Sequence, residues 1–136
     1  FVERRRHNFD RLKNALLAAD ETDHITDRLI LPVPCENAAP SWFGFLITCK
    51  DGVDRNKVVQ YMEDHGIQTR MLFAGNLTKH PCFDEMRAAG EGYRIVGELK
   101  NTDRIMKDTF WIGVYPGMTD EMIDYMAKTL IAAAAQ

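Results

Sequence analysis

Apolar residues at helical spacing open the chain. Val2, Phe9, Leu12 and Leu16 fall on one stripe with charged residues between them, which predicts a helix over 2–19. The polar run 20–27 breaks that pattern. Leu31-Pro32-Val33-Pro34 then reads as extended, because each proline disfavours the α region in the residue before it. Trp42 to Cys49 is aromatic, β-branched and uncharged, the signature of a buried strand, with Gly44 marking a close backbone approach. Lys50-Asp51-Gly52 supplies a turn, and Asp54 can cap a helix running to about His65. Val58, Tyr61, Met62 and His65 share one face of it, so His65 is expected at the packing seam. Gly66 stands where a left-handed C-terminal cap belongs.

Ile67 to Leu72 resumes as a short strand. The stretch 73–97 has weak periodicity and predicts a long excursion with a short helix near 83–88; loops of that length tend to bind something. Thr102 is the expected cap of a further short helix. Phe110 to Tyr115 predicts a strand ended by Pro116-Gly117. Thr119 caps a last helix whose apolar face holds Met122, Ile123, Met126, Ala127, Leu130 and Ile131, and Ala132 to Ala135 extend it as a tail. Three strands interleaved with four or five helices predict an α/β domain, a small sheet covered by helices on one side.

The chain's 136 residues suit one domain with a real core. A net charge of −3 speaks against a nucleic-acid module, which usually carries a basic face. The basic run Arg4-Arg5-Arg6 reads as a solvated helix face, with a phosphate patch as the alternative. No apolar stretch is long enough to span a bilayer. The first residue is Phe1 and opens directly into helical sequence, so an excised fragment is expected. Cys35, Cys49 and Cys82 are odd in number and lack C-x-x-C spacing, which excludes a disulfide framework and fits a reducing cytoplasm. They are also too few and too scattered for an iron–sulfur cluster.

No self-contained catalytic set is evident. His7, His24, His65 and His80 lack metal-ligand spacing, and neither G-x-S-x-G, H-E-x-x-H nor a phosphate loop occurs. The chemistry concentrates in Thr69 to Phe83, TRMLFAGNLTKHPCF. Arg70 offers a planar fork of donors for a carboxylate or phosphate, and Phe73 a stacking face. Gly75 allows close approach or positive φ, and Asn76 and Thr78 add mixed donors and acceptors. That set could grip a nucleotide sugar. It could equally be a structural turn with Arg70 in an ordinary salt bridge.

The blocks PSWFGFLIT (40–48), GIQTRMLFAGNLTKHP (66–81) and YRIVGELKNTDRIMKDTFWIGVYPGMT (93–119) resemble the C-terminal region of the CDP-4-keto-6-deoxyglucose 3-dehydrases. These belong to the DegT/DnrJ/EryC1/StrS sugar-aminotransferase-like family of fold-type-I, vitamin B6-dependent enzymes. The likeness covers nearly the whole chain, including ERRRHNFDRLKNAL at its start. It implies a C-terminal small domain over 20–136, with a small, mostly antiparallel sheet covered by helices, and a linker helix over 1–19 leading from a large domain. It implies that the complete enzyme removes the C3 hydroxyl of a CDP-4-keto-sugar in the making of 3,6-dideoxy sugars for lipopolysaccharide O-antigen. Pyridoxamine or pyridoxal phosphate, a [2Fe-2S] cluster, a homodimer and an NADH-dependent flavin iron–sulfur reductase go with that activity. The catalytic histidine, the phosphate grip and the cluster cysteines would lie upstream. No catalytic, cofactor-binding or metal residue is therefore assigned here, and Arg70, Phe73, Asn76 and Thr78 are expected to line the substrate cleft. The rival readings are the small domain of a lysine-dependent sugar aminotransferase and a stand-alone α/β ligand-binding module.

Overall fold

A computed structural model describes residues 1–136. Helix α1 (Val2–Ala18) leads into two single-turn helices, α2 (Asp20–Asp23) and α3 (Ile25–Arg28), separated by His24 in the left-handed region. Strands β1 (Leu29–Ile30) and β2 (Gly44–Cys49) follow, then α4 (Arg55–Asp64) and β3 (Thr69–Met71). Two 3-10 turns and α5 (Asp84–Ala89) lie in the excursion, and α6 (Lys100–Asp108), β4 (Thr109–Gly113) and α7 (Asp120–Ala134) complete the chain. The sheet order is β1-β2-β4-β3 and every pair is antiparallel. Four strands form where three were expected, because the two-residue β1 lies just ahead of the Leu-Pro-Val-Pro segment and is too short to leave a periodicity.

Strand alternation decides which face is covered. Phe45, Ile47 and Cys49 of β2 point the same way as Phe110 and Ile112 of β4, and all five are buried. Against them pack Phe9, Leu12 and Leu16 of α1, Val58 and Met62 of α4, and Ile123, Ala127 and Leu130 of α7. The first helix is therefore part of the core. Val2 departs from the expected stripe and is half exposed, with Asn8 buried in its stead. Asn8 donates to the Tyr115 carbonyl at 2.8 Å and so ties α1 to the turn before α7. The arginine run does similar work: Arg4 reaches the Met118 carbonyl (3.1 Å) and Asp120 (3.3 Å), and Arg6 the carbonyls of Ala39 and Pro40. Arg11 makes a two-pronged pair with Asp124, at 3.1 and 2.8 Å.

Local capping follows the sequence at three places. Asp54 accepts from the Asn56 and Lys57 amides, Thr119 accepts from Met122, and Gly66 takes φ +75°. It fails at two. Helix α6 begins at Lys100 behind Leu99, which sits at φ 51° with no side-chain cap, so Thr102 lies inside the helix. His65 is exposed and stacks on Tyr61 with ring centroids 4.1 Å apart; it does not enter the seam. The C-terminal tail is more than an extension, since Ala133 and Ala134 are buried.

Candidate functional site

The opposite face of the sheet carries the candidate site. Arg70 pairs across the ladder with Trp111, so both project away from the helix-covered core. Trp111 lies over Gly44, where an added Cβ would meet its ring at 2.7 Å. The close approach expected at Gly44 is thus made by an indole. Phe43 meets the same ring edge-on at 5.3 Å, and the indole N–H donates to the Met71 carbonyl at 3.2 Å. The Arg70 side chain is exposed and makes one bond, to the carbonyl of Thr69 at 2.9 Å. Most of its donor fork remains open to solvent.

Beside Arg70 and Trp111 runs a groove of about 440 Å³ that also takes in Tyr115, Met122 and Tyr125. Tyr115, Met122 and Tyr125 are about half exposed, and the Tyr125 hydroxyl donates to the His65 carbonyl at 2.9 Å. The sequence reading missed this groove. Its residues come from three separate segments, and only the Arg70–Trp111 register brings them together.

The three expected residues in the loop after β3 are of two kinds. Phe73 is 75% exposed and held at φ 49°, so its ring stands free. Asn76 is only 2% exposed. Its Oδ1 accepts from the Thr78 amide (3.1 Å) and hydroxyl (2.7 Å), and its Nδ2 donates to Asp103 at 2.7 Å. Asn76 and Thr78 therefore direct these polar atoms to each other and to α6, while Thr78 also borders a small apolar pocket with Leu77, Phe83, Met86, Arg87 and Tyr93. Gly75 takes φ +62°, and a Cβ there would lie 2.5 Å from the Met106 side chain, so both of its anticipated roles are present. Lys79 meets Asp103 at 2.8 Å. Bonds first from Lys79 and then from Asn76 hold the Asp103 carboxyl below its ordinary range. Arg87 of α5 donates to the carbonyls of Thr78 (2.7 Å) and His80 (2.9 Å).

Neither vitamin B6 cofactor chemistry nor a cluster fits these residues alone. A pyridoxal site needs a ring-stacking wall, a phosphate grip and an acid–base group at the reacting carbon. The groove at Arg70 has aromatic walls and a cation but no lysine, histidine or carboxylate. The cleft at Lys50, Asp54, Arg55 and Lys107 has charges but no aromatic wall. No group of three or more histidine, cysteine or acidic residues converges on a point. Cys35 and Cys82 are exposed, while Cys49 is buried in β2, where desolvation pushes its thiol up to about 11. No helix is long and apolar enough to cross a membrane.

A small antiparallel sheet covered by helices is what the family resemblance implied. Residues 1–131 match the DegT/DnrJ/EryC1/StrS aminotransferase family, and the chain belongs to it. Among its relatives is the lipopolysaccharide biosynthesis protein RfbH of Salmonella typhimurium, 48% identical over 130 residues, 94% of this chain. Another is the dTDP-4-dehydro-2,6-dideoxy-D-glucose 3-dehydratase of Saccharopolyspora spinosa, 41% identical over the whole chain. The chain spans 27% of the length of each. Among solved structures, a GDP-4-keto-6-deoxymannose-3-dehydratase with a trapped PLP-glutamate geminal diamine shares the fold at a TM-score of 0.72. It is 24% identical, over 96% of this chain and 31% of that one. The aminotransferase TlmJ of Streptoalloteichus hindustanus shares it at 0.76, with 20% identity over 99% and 32%.

Proposed function

We propose that the chain is the C-terminal small domain of a vitamin B6-dependent nucleotide-sugar 3-dehydrase. Its substrate would be CDP-4-keto-6-deoxyglucose, which loses its C3 hydroxyl on the way to 3,6-dideoxyhexoses of lipopolysaccharide O-antigen. The observation that carries this reading is the 48% and 41% identity to a lipopolysaccharide biosynthesis protein and a sugar 3-dehydratase, sustained along nearly all of the chain. The site supports the same division of labour. It offers an open cation and aromatic surfaces suited to binding and orienting an anionic sugar nucleotide, and no group placed to move a proton.

In the complete enzyme α1 would lead out of the large domain. Pyridoxamine or pyridoxal phosphate and a [2Fe-2S] cluster would be held there, supplying the electron sink and electron transfer. A second copy and an NADH-dependent flavin iron–sulfur reductase would be its partners, in the reducing cytoplasm that unpaired thiols suit. On this chain Arg70 would meet an anionic or hydroxyl group of the substrate and Phe73 would cover a flat face. Asn76 and Thr78 would serve the cleft by shaping the loop.

The test is incubation of residues 1–136 with pyridoxamine phosphate, the CDP-keto-sugar and the reductase, beside the complete enzyme. The complete enzyme should release the C3 hydroxyl as water, and the chain alone should show no turnover. Turnover by the chain alone would refute the small-domain reading. Membership of an aminotransferase family supports a second reading, the small domain of a sugar aminotransferase. Amino transfer from glutamate to the keto-sugar by the complete enzyme, without loss of the C3 hydroxyl, would establish it.

A further inference from the structure

The loop between Arg70 and the excursion is held from two sides, by Asp103 far away in sequence and by Arg87 nearby. On one side the Asp103 carboxylate of α6 accepts from Asn76 Nδ2 at 2.7 Å and meets Lys79 Nζ at 2.8 Å. On the other, Arg87 of α5 caps the carbonyls of Thr78 and His80. Asn76 is the hub. With Nδ2 committed to Asp103, its Oδ1 must face Thr78, where it accepts from amide and hydroxyl and closes the 3-10 turn Leu77–Lys79. Met106, one turn beyond Asp103, fills the space against Gly75 and takes the Asn76 amide on its sulfur at 3.3 Å. The loop has little apolar burial of its own: Phe73 and Leu77 are largely exposed. Apart from Met106 against Gly75, its shape is therefore held by these polar ties more than by packing.

We propose that Asp103 is a positioning residue for nucleotide-sugar binding: by fixing the Asn76 amide and Lys79 it sets the loop shape that presents Phe73 beside Arg70. This rests on the substrate reading given above, and Asp103 itself touches no substrate. The physical reason is orientation. A loop free to sample several shapes presents the binding groups in the productive one only part of the time, and apparent affinity falls by that fraction. The carboxylate is needed because it serves an amide donor and an ammonium at once. An asparagine at 103 keeps an acceptor for Asn76 but loses the charge facing Lys79. An alanine loses both.

Two measurements separate the parts of the argument. In the complete enzyme, amide hydrogen exchange at Thr78, Lys79 and His80 should rise at least about tenfold in Asp103→Ala, and less in Asp103→Asn, with exchange in β2 and β4 unchanged. Calorimetric binding of the CDP-sugar substrate should weaken about tenfold in Asp103→Ala, with partial recovery in Asp103→Asn and unchanged cofactor content. Unaltered loop exchange would overturn the inference, as would a general rise that includes the sheet. Binding insensitive to Asp103→Ala would overturn the positioning role alone. Absence of binding by the unsubstituted enzyme would refute the substrate reading on which the inference rests.

Discussion

Leu16→Ala is the most direct probe of α1, because the apolar stripe on this helix forms part of the core. Leu16 has no exposed surface and packs in the seam between α1, the sheet and α7. Truncation removes an isopropyl group; at about 0.8 kcal/mol for each buried methylene equivalent, the lost transfer energy is about 2.4 kcal/mol. A residual void on the order of 40 Å³ adds about 1 kcal/mol more, for a total of about 3–4 kcal/mol. With a urea slope of about 2 kcal/mol/M for a domain of this size, the unfolding midpoint should fall by about 1.5–2 M. Leu17, the next residue, is 43% exposed and serves as the control. Leu17→Ala should cost less than about 1 kcal/mol. The assay is urea unfolding of residues 1–136, followed by far-ultraviolet circular dichroism and by tryptophan fluorescence. Trp42 stacks on Phe9 of α1 at 5.5 Å, so with Trp111→Phe as the common background fluorescence reports on the helix seam itself. Equal midpoints for the two variants would refute the reasoning, as would fluorescence and dichroism transitions that separate, because α1 would then unfold apart from the sheet.

Other expectations follow from the site and from the titrating groups. In the complete enzyme, Arg70→Ala should weaken substrate binding by about ten- to a hundredfold, the worth of one charge-assisted hydrogen bond of about 1.5–3 kcal/mol, with cofactor content and thermal stability unchanged; a collapse in stability without a binding defect would make Arg70 structural. Gly75→Ala should destabilise the loop by about 1–2 kcal/mol from the left-handed backbone alone, and more where Met106 must shift, read as a lower proteolytic threshold near residue 75. The carboxyls of Asp20, Glu63 and Asp103 are held below their ordinary range, by Thr26, by Thr69, and by Lys79 with Asn76 respectively. Depressed folded-state values mean stability that is fully present above about pH 4.5 and lost as pH falls through them; Glu63→Gln should flatten that acid limb in a Tm-versus-pH series. Cys35 and Cys82 should react with a thiol reagent at neutral pH, while Cys49, buried with its thiol at about 11, should react only after unfolding.

What could be read from the sequence was what is decided locally. Asp54, Gly66 and Thr119 act through neighbours a few positions away, and the run Trp42 to Cys49 announces its burial by composition. Arg70 at a strand end was legible for the same reason. The failures share a cause. The partner of the Asn76 amide, Asp103, is distant in sequence and leaves no local sign. His65 sits at the right helical phase for the seam, but α4 ends there and its ring folds back onto Tyr61. Leu99 precedes α6 in a left-handed conformation that no capping rule assigns to leucine, so the helix start was misplaced. The groove at Arg70 depends on antiparallel register between β3 and β4, which no single segment encodes.

That same register has an evolutionary side. The chain leaves the sheet after Met71 and returns at Thr109, and Met71 pairs directly with Phe110. Residues 72–108 are thus an ornament hung from two adjoining strands, with both points of attachment fixed by the ladder. Lengthening such a loop is thermodynamically mild, about 0.6 kcal/mol for each doubling. Descendants of one ancestral domain could therefore exchange this segment wholesale, α5 and α6 included, while inheriting the four strands, α1 to α4 and α7 unaltered.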